Sequence, residues 1–160
     1  MDGKRGEETP ENESYRVLES YGTIAVVGLS RSPGKDSHRV ASYLKERGYV
    51  IVPINPVAEE ILGERCFKSL LDVPEDLQKE VEVVDVFRPS EDVPPIVEQA
   101  IQLRRKHGKP HVIWMQVGIV NERAAELARE AGLTVIMDKC MMIEHQRLTA
   151  SKRRPASRGG

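Results

Sequence analysis

The strongest constraint on this chain is a series of five short apolar runs through its middle: TIAVVGL (23–29), YVIVPI (49–54), VEVVDVF (81–87), HVIWMQV (111–117) and LTVIMD (133–138). Each is too short for a core helix, is rich in Val and Ile, and lacks strict alternation of apolar and polar residues. Strands of that composition are buried on both faces, and a sheet covered on both faces is usually parallel. The intervening segments read as helices. Val40, Tyr43 and Leu44 share one face before Gly48, with Lys45-Glu46-Arg47 as a last turn. From Pro95 to Lys106 the residues Ile96, Val97, Ala100, Ile101 and Leu103 fall together, and Gly108 ends the run. Asn121 is placed as an N-cap for ERAAELARE, with Gly132 as its stop. Ser14 to Tyr21 reads as a short leading helix against the sheet edge. Strand and helix alternate about five times, which predicts an α/β fold: a single doubly wound, Rossmann-like domain with a five-stranded parallel sheet flanked by helices. Residues 1–12 and the basic stretch 149–160 are polar and read as disordered tails, leaving 13–148 as the domain.

The balance of the chain narrows its partners. Hydrophobic residues make up 39% and charged residues 31%, and the formal net charge is −1. Nothing approaches the roughly 20 apolar residues that span a bilayer, and the N-terminal MDGKRGEETPENES has no secretory h-region. Membrane association is therefore not expected. The basic runs RRK and SKRRPASR have no interleaved aromatics, so nucleic acid is not expected either. Cys66 and Cys140 form no CxxC pair, which fits a reducing, cytoplasmic setting. The four histidines, at 38, 107, 111 and 145, lack metal-ligand spacing, so no metal site is expected. Glu144 and His145 are sequence neighbours and do not face one another on a helix.

In open parallel sheets, ligands lie beyond the carboxyl ends of the strands. Those ends carry GLSRSPGK (28–35), Asn55-Pro56, Phe87-Arg88-Pro89, Gln116-Val117-Gly118 and Asp138-Lys139-Cys140. The first loop looks phosphate-binding yet fails both familiar patterns. A dinucleotide fingerprint needs Gly at 30 and 33, where Ser30 and Pro33 stand, and a Walker loop needs a five-residue glycine spacing and Ser or Thr after Gly34-Lys35. Arg31, Lys35 and Arg88 bring cations to the rim, and Ser30 with a helix start near Ser37 adds donors. The second strand ends VPINP without the acid that clamps an NAD ribose. The pattern asks for phosphates and adenine.

The stretches IAVVGLSRSPGKDSHRVASYLKERGYVIVPINP, ILGERCFKSLLDVP, VDVFRPSEDVPPIV and VIWMQVGIVNERAAELAREAGLTVIMDKCMMIEH resemble the small stand-alone CoA-binding proteins. Those are similar to the CoA-binding domain of succinyl-CoA synthetase and of ADP-forming acyl-CoA synthetases. The resemblance spans about residues 14 to 148. It implies that coenzyme A, or an acyl-CoA, lies over the carboxyl edge, with Gly28, Ser30, Arg31 and Lys35 facing phosphates and Asn55 and Pro56 lining the adenosine. It further implies Phe87 and Arg88 beside the nucleotide or the start of the pantetheine arm, and Gln116 near that arm. Cys140 stands either as a partly buried thiol or as a contact for the CoA thiol. The phosphohistidine chemistry of the synthetases resides in a separate domain, so binding without catalysis is expected. Two rivals stand beside this: an NAD(P)-dependent oxidoreductase with Arg31 replacing the ribose acid, and a regulatory module acting through its basic tail. A homodimer is allowed.

Overall fold

A computed structural model describes residues 10–153. Helix α1 (Pro10–Ser20) leads into β1 (Thr23–Val27), α2 (Asp36–Glu46) and β2 (Val50–Ile54). A small hairpin follows, β3 (Glu60–Ile61) and β4 (Glu64–Arg65), then the short helix α3 (Glu75–Gln78). The remainder runs β5 (Val83–Val86), α4 (Val93–His107), β6 (Val112–Met115), α5 (Glu122–Glu130), β7 (Thr134–Ile136) and α6 (Met141–Arg153). The main sheet has the order β2-β1-β5-β6-β7, and every pairing in it is parallel. All five expected strands are present, and the sheet is covered on both faces.

Strand alternation sorts the core into two layers. Ala25, Val27, Val84, Val86, Ile113 and Met115 pack against α4 and α5. Ile24, Val26, Val83, Val112 and Trp114 pack against α1, α2 and α6. At roughly 25 cal/mol per Å² of apolar surface removed from water, this two-sided burial is the main force holding the sheet. Asn121 caps α5 by accepting from Ala124 N at 2.9 Å, and Gly108 ends α4 at a φ of 81°, as the sequence predicted. Replacing such an N-cap by Ala typically costs about 1 kcal/mol.

Both ends of the domain are longer than expected. Helix α1 starts at Pro10, and α6 continues to Arg153, five residues into the stretch read as a tail. Its anchors are few: only Met141, Glu144 and Leu148 are buried. The last turn is held to α1 by Lys152 Nζ, 2.5 Å from Glu19 Oε2. A helix so polar around most of its circumference gives little periodic signal. Residues 1–9 and 154–160, the rest of the expected tails, lie outside the described residues.

Candidate functional site

The order of the sheet places its switch point between β1 and β5, where chain connections depart in opposite directions and leave a crevice at the carboxyl rim. Gly28 sits there with φ of 91°, a conformation that L side chains rarely adopt. A Cβ on Gly28 would lie 2.9 Å from Phe87 O and 3.1 Å from Arg88 Cδ. The first and third strand ends are therefore in direct backbone contact, which only glycine permits.

Two clefts flank this contact. The first, about 330 Å³, lies on the α4 side and is lined by Gly28, Pro56, Lys68, Ser69, Arg88 and Ile96 among others. The second, about 320 Å³, lies between the starts of α2 and α6 and is lined by Arg39, Phe87, Gln116, Cys140, Met142 and Ile143 among others. Phe87 and Arg88 are consecutive residues facing opposite clefts, so the two are one residue step apart at the rim.

The structure divides the sequence-derived residues into distinct groups. Gly28, Pro56 and Arg88 meet in the first cleft; Phe87, Gln116 and Cys140 meet in the second. Arg31 and Lys35 line neither, standing exposed on the loop between β1 and α2. Neither has a carboxylate partner among the described residues. The loop holds itself in place through Ser30, whose N–H donates to Ser37 Oγ at 2.9 Å and whose Oγ accepts from Ser32 N at 3.0 Å. Lys35 is the residue before α2, and no side chain caps that helix start. Its N–H groups and the positive end of its dipole remain available to an anion.

Other residues are committed to the fold. Asn55 donates through Nδ2 to Leu29 O at 2.9 Å and accepts at Oδ1 from Val57 N and Ala58 N, both at 2.8 Å. Its carboxamide ties the second loop to the first. Arg88 donates to Asp92 Oδ2 at 2.9 Å, so its charge is shared with an acid. Gln116 is buried; its Nε2 donates to Asp85 Oδ1 at 2.6 Å, and its Oε1 accepts from Met141 N at 3.4 Å.

Asp85, in the middle of β5, is a residue that the sequence reading passed over as part of an apolar run. It is fully buried, its Oδ2 has no hydrogen-bond partner, and burial pushes its carboxyl up to about 7 against the opposing effect of the Gln116 hydrogen bond. The one available signal was an Asp flanked by valines in a two-sided strand, VVDV. Lys68 and Ser69 were also missed; they enter the first cleft only because the hairpin returns the chain to the rim. Cys66 is buried, and burial raises its thiol pKa, consistent with a packing role.

The sequence matches the family model of the CoA binding domain over residues 22–146, a span that contains every loop of this rim. The chain belongs to the CoA-binding domain family. It is 37% identical over 133 residues to the uncharacterized protein YneT of Bacillus subtilis, covering 83% of this chain and 92% of that protein. A solved structure of a hypothetical protein from Pyrococcus horikoshii OT3 superposes with a TM-score of 0.79 at 39% identity, over 89% of this chain and 94% of that one. An ADP-forming acetate–CoA ligase of Methanocaldococcus jannaschii is 32% identical over 127 residues. That match takes in 76% of this chain and only 17% of the ligase. This member of the CoA-binding domain family thus corresponds to a small part of the acetate–CoA ligase's length and to nearly the whole of the small relatives. Among the described residues, no helix is long and apolar enough to cross a membrane.

Proposed function

We propose that the protein binds coenzyme A or an acyl-CoA across the carboxyl rim and does not turn it over. The observation that carries this reading is the family match over residues 22–146, because it embraces all five loops of the rim. The geometry supports a specific seating. The adenosine fits the first cleft against Pro56, and the pyrophosphate fits the β1–α2 loop, where Arg31 and Lys35 have unspent charge beside an uncapped helix start. The pantetheine arm then crosses the Phe87–Arg88 step into the second cleft, whose lining is largely apolar and includes Cys140.

Calorimetric titration with CoA, acetyl-CoA and NAD tests the reading. CoA should bind at least about tenfold more tightly than NAD, and the double variant Arg31→Ala/Lys35→Ala should lose about tenfold or more, the size expected for charge-assisted contacts on a partly open rim. Equal affinity for CoA and NAD, or an unchanged double variant, would sink it. Release of free thiol from acetyl-CoA above the buffer rate would overturn the binding-only part.

A further inference from the structure

After β4 the chain does not leave the sheet. Phe67 N donates to Pro53 O at 3.0 Å and Asn55 N donates to Phe67 O at 2.9 Å, which makes a parallel bridge between Ile54 and Phe67. The segment is thereby zipped onto the free side of β2 at its carboxyl end, and Lys68 follows at once, on the rim. Lys68 lines the first cleft and also an adjoining open cavity of about 720 Å³, whose wall includes Pro56, Glu59 and Arg65. Two cations line the first cleft. Arg88 is paired with Asp92, whereas Lys68 has no carboxylate partner among the described residues. Arg65, with its guanidinium 5.0 Å from the Phe67 ring centre, is likewise without an acid partner among them.

We infer that Lys68, supported by Arg65, is the subsite for the ribose 3′-phosphate of CoA and sets a preference for CoA over ligands that lack this group. The inference rests on the CoA reading above. Pro56 is shared by the cleft and the adjoining cavity, so an adenosine seated against its ring has its ribose at their junction, where Lys68 stands. A phosphate monoester carries nearly two charges at neutral pH. It requires cations that are not already neutralised, and an ammonium on a flexible stem accepts it without strict geometry. The pyrophosphate has its own cations on the first loop, which leaves Lys68 for the third phosphate.

The test is calorimetry with CoA and dephospho-CoA on the unaltered protein, Lys68→Ala and Lys68→Arg. Lys68 is exposed, so the variants should melt as the parent does. The parent should favour CoA by about tenfold or more; in Lys68→Ala the ratio of the two affinities should fall by about tenfold, and Lys68→Arg should restore most of it. A parental ratio near one, or a ratio unchanged in Lys68→Ala, overturns the subsite while leaving CoA binding intact. If the parent binds neither ligand, the CoA reading falls and the subsite with it.

Discussion

On the α4 side of the rim, Lys68 lines its cleft without an acid partner among the described residues, and Arg31 and Lys35, on the loop that leads into α2, are equally unspent. On the α6 side, the buried polar group, Gln116, has both ends of its carboxamide engaged, with Asp85 and with the backbone of Met141. The first cleft has an unpaired cation in its wall; in the second, Arg39 is paired with Asp36, and Gln116 is turned inward to the fold. Residues of similar type on one rim thus do different work. Those that hold loops together are saturated, whereas Arg31, Lys35 and Lys68 are exposed and have no acid partner among the described residues.

This division can be broken by mutation, and the effects should rank accordingly. Gly28→Ala strikes the backbone contact between the two clefts. The left-handed φ and the 2.9 Å approach to Phe87 O should together cost roughly 3–5 kcal/mol in chemical denaturation. A loss below about 1 kcal/mol would show that the two strand ends can separate freely.

Asp85 should give the next largest effect, and a pH-dependent one. The folded protein holds its carboxyl proton up to about pH 7, while an ordinary aspartate gives it up near 3.8. Between those values the folded state binds the extra proton, so this group makes stability fall as pH rises from about 4 to about 7, with no further change above. Asp85→Asn keeps the acceptor for Gln116 and removes the titration. The variant should match the parent near pH 4 and exceed it by roughly 2–4 kcal/mol at pH 8 in urea denaturation. Parallel pH profiles for the two proteins would rule this out.

Asn55→Ala removes one hydrogen bond that joins the first two loops and two that close the second loop on itself, and should cost about 2–3 kcal/mol, while weakening CoA only through loop disorder. Restored affinity on rigidifying the loop would separate that from a direct contact. The smallest change in stability belongs to Arg31→Ala/Lys35→Ala, within about 0.5 kcal/mol by thermal melting. A large drop would mean that these cations serve the fold after all.

The fold was legible in the sequence because its strongest signal is local: Val- and Ile-rich strands separated by helices with Gly stops leave few topologies. The site was legible only in part. The loops of the rim were found because ligands gather at strand ends in such folds. The division of labour within them was not, since whether Asn55 or Gln116 has a free amide depends on partners 26 and 31 residues away. Lys68 was invisible for a related reason. The hairpin strands are two residues long and carry no periodicity, and the bridge that delivers Lys68 to the rim is a tertiary contact. Asp85 was hidden by its valine neighbours, which made it read as part of a strand and nothing more.

The close packing of Gly28 against Phe87 and Arg88 gives the rim the form of a saddle. A short, stiff molecule can sit on one flank or the other, but only a long, jointed one can sit astride. Fragments carrying the nucleotide half and the pantetheine half should therefore bind side by side without competing. Tethering them through a linker long enough to cross the ridge should tighten binding by raising the local concentration of the second half, with no new protein contact needed.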